Sequence, residues 1–66
     1  MNENKYRRVQ RKEDGEWFTL ELRDIFIQTD NQARELVAHF TSTQGGEYRT
    51  QFKHGRRWYT VPLNLS

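Results

Sequence analysis

The chain has 66 residues, a net charge of +2 and only 33% hydrophobic residues, nine of them aromatic. It contains no cysteine, which excludes disulfides and thiolate zinc sites, and its two histidines, His39 and His54, lack a metal-ligand spacing. A chain this short predicts a single domain over residues 1–66 whose stability rests on one small core or on a partner subunit.

Residues 5–12 alternate weakly, with Tyr6 and Val9 among basic side chains, and predict a first strand. Asp14-Gly15 is a hairpin-turn signal. After it, Phe18, Leu20 and Leu22 alternate with Thr19 and Glu21, so residues 16–27 are read as the returning strand. Arg23-Asp24 interrupts this alternation. A bulge near Asp24 would return Ile25 and Ile27 to the core face.

Thr29 followed by Gln32 has the form of a capping box, and Ala33, Leu36, Val37 and Phe40 form an apolar stripe at helical spacing. Asp30 suits the first helical turn, and Gly45-Gly46 ends the helix. Beyond it, Tyr48, Thr50 and Phe52 alternate with Arg49, Gln51 and Lys53. His54-Gly55-Arg56 turns the chain, and residues 58–63 predict a fourth strand, which Pro62 places at an edge or an end. The expected fold is α+β: a small ββαββ domain, with an antiparallel sheet and one helix packed on one face. The expected core is Phe18, Leu20, Leu22, Ile27, Leu36, Val37, Phe40, Phe52, Tyr59 and Val61. No internal repeat is apparent beyond the presence of two hairpins.

Charge is distributed unevenly along these elements. Residues 1–12 carry +4 and residues 49–66 carry +4, whereas residues 13–48 carry −6. Basic segments interleaved with aromatics are the usual footprint of nucleic-acid binding. Strand alternation puts Arg49, Lys53, Trp58 and Trp17 on the face away from the helix. The candidate nucleic-acid surface is Arg7, Arg8, Arg11, Arg49, Lys53, Arg56, Arg57 and Trp58, with the cations on phosphates and Trp58 stacking or packing. Exposed lysines and arginines also protect strand edges from aggregation, and the acidic centre, Glu21 and Asp24 in particular, has the charge to neutralise the first strand.

Catalysis finds little footing. His39 and Ser42 sit at a helix end without an orienting partner, and Gly45-Gly46 lacks the Lys-Ser/Thr of a phosphate loop. The sequence therefore predicts a non-enzymatic regulator that binds DNA or RNA, with no cofactor, no metal and no small-molecule substrate. The alternative is a protein-interaction module or inhibitor that acts through a sheet edge or the Trp/Arg face, including homodimer formation. With no signal peptide or transmembrane stretch, the expected location is the cytoplasm and no membrane partner is expected. Asn64-Leu65-Ser66 matches a glycosylation acceptor and is read as coincidence.

Overall fold

A computed structural model of the chain describes residues 5–63. The elements are β1 (Arg7–Glu13), β2 (Glu16–Thr19), α1 (Asp30–Gln44), β3 (Glu47–His54) and β4 (Arg57–Thr60). They form a four-stranded antiparallel sheet in the order β2-β1-β3-β4 with the helix on one face, the ββαββ fold expected from the pattern. Because β2 and β3 both run antiparallel to β1, they are parallel to each other, and α1 carries the chain across β1 between them. The Asn64-Leu65-Ser66 triplet lies outside the described residues.

Both hairpins close through two-residue turns. Asp14 and Gly15 have φ of 52° and 82°, the pair of positive values that a type I′ turn requires. Gly55, at φ 65°, occupies the first central position of the second turn, where a side chain at positive φ would be strained. The helix starts with the expected capping box: Thr29 Oγ1 accepts from the Gln32 amide at 3.1 Å, and Gln32 Oε1 accepts from the Thr29 amide at 3.2 Å. It ends at Gly45, whose N–H donates to the Thr41 carbonyl.

The second strand is far shorter than the expected span of 16–27. Its ladder ends at Thr19 opposite Gln10, and one further bond runs from the Leu20 amide to the Val9 carbonyl at 2.9 Å. From there the chain has to rise from the sheet edge into the helix layer. Leu20, Leu22 and the buried Ile27 pack there against the core. The interruption at Arg23-Asp24 thus marks departure from the sheet and not a bulge within a strand. The fourth strand likewise ends at Thr60, ahead of Pro62.

The core lies between α1 and the two central strands. It consists of Val9, Ile27, Ala33, Val37 and Tyr48, with Leu20, Leu22, Leu36 and Phe40 packed against it. The Phe40 and Tyr48 rings stack with centroids 5.6 Å apart. Phe52 is only half-buried and lies outside it, and two more expected core residues are largely exposed: Phe18 at 49% and Tyr59 at 50%. Phe18 and Tyr59 point to the helix side but stand on edge strands. Four strands at about 4.8 Å spacing are wider than the ~10 Å cylinder of one helix. Val9, absent from the expected core, is completely buried because β1 is a central strand and not an edge.

Candidate nucleic-acid interface

The register defines the two faces of the sheet. Arg7, Val9 and Arg11 lie opposite Phe52, Thr50 and Tyr48, on the helix side. Arg8, Gln10 and Lys12 lie opposite Gln51, Arg49 and Glu47, on the side that no helix covers. Trp17 and Thr19 of β2, and Trp58 and Thr60 of β4, join this open face through their pairing with Lys12, Gln10, Lys53 and Gln51.

Two polar ladders cross the open face. In one, Arg8 donates through Nε and Nη2 to Gln51 Oε1, at 2.9 and 2.6 Å, and Gln51 Nε2 donates to Thr60 Oγ1 at 3.1 Å. In the other, Arg49 Nε donates to Gln10 Oε1 at 2.8 Å, and Gln10 Nε2 donates to Thr19 Oγ1 at 3.0 Å. Gln10 and Gln51 are buried, and both ends of each amide are bonded, as buried amides require. Over the ladders, the Arg8 guanidinium lies 4.0 Å from the centre of the Trp58 ring, and Arg49 lies 4.2 Å from that of Trp17. Lys53 and Lys12 approach the same two rings at 5.9 and 5.7 Å. Each tryptophan thus gathers one arginine and one lysine, a contact worth ~0.5–2 kcal/mol depending on desolvation.

These two constellations are copies of one another. Arg8, Gln10, Lys12, Trp17 and Thr19 recur as Arg49, Gln51, Lys53, Trp58 and Thr60 in the same order and spacing. Phe18 and Leu20 recur conservatively as Tyr59 and Val61 on the other face. The Leu20 N–H to Val9 carbonyl bond has its counterpart in Val61 N–H to the Thr50 carbonyl, both at 2.9 Å. Val9 and Thr50 are register partners and also occupy equivalent places, so an approximate two-fold axis passes between them, normal to the sheet. The sequence reading, which recognised two hairpins but no repeat, missed this. Aligning Arg-x-Gln-x-Lys of residues 8–12 on residues 49–53, with Trp-aromatic-Thr following in both, is the signal that reveals it.

The eight residues expected to bind nucleic acid are divided by the fold. Arg8, Arg49, Lys53 and Trp58 are brought together on the open face. Arg7 and Arg11 are not: they share the helix side with Val9. Arg7 is ion-paired with Asp30 in the first turn of α1 and lies over the Phe52 ring. Arg11 lies 3.4 Å from Glu13 and donates to the Tyr48 hydroxyl. Arg56 and Arg57 stand at the β3–β4 tip. Glu21 pairs with Arg23 at 3.4 Å and not with the arginines of β1. Lys12, Trp17, Gln10 and Gln51 complete the face; strand alternation alone had pointed to Trp17 and Gln51 but not to Gln10 or Lys12.

Electrostatically, the open face carries Arg8, Lys12, Arg49 and Lys53 against one acid on the same strands, Glu47, whose Oε1 is 4.0 Å from Lys12 Nζ. Burial, and then the positive charge of Arg49, hold the Arg8 guanidinium below the ordinary arginine value. Like charges are thus crowded at the centre of the face. Among the described residues, no three His, Asp or Glu side chains cluster in a metal-holding arrangement, and no helix is long and apolar enough to cross a membrane. The chain matches no protein-family model, no characterised protein sequence and no solved structure.

Proposed function

We propose that the protein is a small non-enzymatic regulator that binds nucleic acid through the open face of its sheet. The observation that carries this reading is the pair of Arg-Lys-Trp clusters, which put four cations on the face away from the helix with, among the described residues of these strands, one acid beside them. Such a concentration of positive charge is relieved by a polyanion that releases its own counterions on binding. Trp58 and Trp17 act mainly by holding Arg8 and Arg49 flat, because their rings already carry the guanidinium groups. Two of the five N–H donors of Arg8 and one of those of Arg49 are engaged by glutamine. Other donors remain for phosphate oxygens or base edges. Arg56 and Arg57 extend the positive surface past the end of β3.

A fluorescence-anisotropy titration with single-stranded and duplex DNA and RNA, at two salt concentrations, tests the reading. The expected result is binding whose log affinity falls by about 0.7–0.9 per log unit of salt for each phosphate neutralised. Absence of binding to every nucleic acid at low salt refutes it.

A second reading, a protein-interaction module, draws on a different surface. Tyr6 and Phe26 are exposed beside Phe52 around an open groove of about 650 Å³ on the helix side. Exposed aromatics of this kind are frequent interface anchors. The sheet edges favour partner binding less, because β2 and β4 have four residues each and offer short templates. Recovery of a defined protein partner that persists after nuclease treatment, and is lost in Phe26→Ser, supports this reading.

A further inference from the structure

The two-fold repeat bears on which nucleic acid the open face takes, and the inference drawn from it rests on the nucleic-acid reading above. One cluster consists of Arg8, Lys53 and Trp58, the other of Arg49, Lys12 and Trp17. A two-fold axis normal to the sheet relates them, so any direction along one cluster is reversed in the other. A single nucleic-acid strand has one polarity. If it met the first cluster running 5′ to 3′, it would meet the second running 3′ to 5′, and equivalent contacts could not form in both. A duplex has antiparallel strands related by local two-fold axes, so each strand presents itself to its own cluster in the same sense.

Spacing selects the kind of duplex. Lys53 stands six positions along β3 from Glu47, the register partner of Lys12. At about 3.3 Å per residue, the two lysine α-carbons are roughly 20 Å apart. That separation straddles a B-form major groove about 12 Å wide. The central pair β1–β3, bearing Arg8 and Arg49 between the two lysines, is flanked by β2 and β4, so the sheet rests across the groove and only side chains reach into it. The major groove of an RNA duplex is too deep and narrow for this entry. We infer that the open face binds double-stranded DNA across the major groove, with the two-fold axis between Val9 and Thr50 set on a local dyad of the duplex. Lys12 and Lys53 then face the two phosphate backbones, and Arg8 and Arg49 face the groove.

The test compares, for the full chain, a labelled mixed-sequence DNA duplex of about 16 base pairs, its two separated strands, and an RNA duplex of the same sequence; at 3.4 Å per step the DNA duplex exceeds the 30 Å length of the protein. The DNA duplex is expected to bind at least about tenfold more tightly than the strands or the RNA duplex. Lys12→Gln and Lys53→Gln are each expected to reduce the salt slope on duplex DNA by about 0.9. Circular dichroism of both variants establishes that they fold. Single strands or RNA duplex binding as tightly as DNA duplex overturns the inference and leaves the nucleic-acid reading standing. So does a salt slope that responds to only one of the two lysines. No binding to any of the probes overturns both.

Discussion

The β1–β2 hairpin turns through Glu13, Asp14, Gly15 and Glu16, and the β3–β4 hairpin turns through His54, Gly55, Arg56 and Arg57. Since β1 and β3 are antiparallel, these tips lie at opposite ends of the sheet, one acidic and one basic. Between the tips, the two hairpins carry the same five open-face residues in equivalent contacts. Sheet register and buried hydrogen bonds constrain those five positions in both copies, because each side chain depends on a partner from the neighbouring strand. The tips face solvent and make no comparable ladder, so their charges are free to differ. The arrangement gives the protein a symmetric central face and a polar long axis. A bound polyanion should therefore be held more strongly at Arg56 and Arg57 than at Glu13 and Asp14.

The sharpest way to break the comparison is to reverse the basic tip. Arg56→Glu with Arg57→Glu should weaken nucleic-acid binding about a hundredfold at about 0.1 M salt, as two phosphate contacts are lost. Glu13→Lys with Asp14→Lys should strengthen binding. Equal, small effects at both tips, measured by anisotropy, would show that the polarity has no role.

The next largest effect tests the equivalence of the two ladders. Gln10→Leu and Gln51→Leu each strand a threonine hydroxyl and an arginine that the glutamine had satisfied. Each should cost about 1–3 kcal/mol in urea unfolding. The two values should agree within about 0.5 kcal/mol if the clusters are energetic as well as geometric copies. A large loss in only one would limit the two-fold relation to geometry.

On the helix side, Phe18→Ala and Tyr59→Ala should each cost about 1 kcal/mol, well below the ~3–5 kcal/mol of a fully buried aromatic, since both rings are half-exposed. A cost of that larger size for either would mean that another surface covers it, which size-exclusion mass would reveal. The smallest effect concerns Glu47, the acid that β3 places on the open face. Glu47→Gln should leave stability within about 0.5 kcal/mol, because its pairing with Lys12 is exposed and long. It should nonetheless strengthen binding at low salt by freeing Lys12. Unchanged affinity would place Lys12 outside the contact.

Much of this architecture is legible in particular residues. Thr29 and Gln32 mark the helix start because a capping box satisfies its own orphan amides, whatever surrounds it. Asp14-Gly15 and Gly55 mark the turns because few residues accept positive φ. Alternation separates Arg49 and Lys53 from Tyr48 and Phe52 because side chains point to opposite faces of a strand. The length of β2 was not legible. Leu20, Leu22 and Ile27 are apolar because they fill the space under the helix, and that role has the same hydrophobicity as a strand face.

The sequence by itself determined two hairpins, one capped helix and the face to which each strand residue points, since these follow from local backbone preference and a period of two. Only the tertiary structure decided that β1 and β3 lie side by side at the centre, because strand order depends on packing between distant segments. From that order comes the burial of Val9, the exposure of Phe18 and Tyr59, and the diversion of Arg7 to Asp30. The same order sets Arg8 over Trp58 and Arg49 over Trp17. Each pair joins the two hairpins, so neither hairpin contains a complete cluster until the sheet has formed.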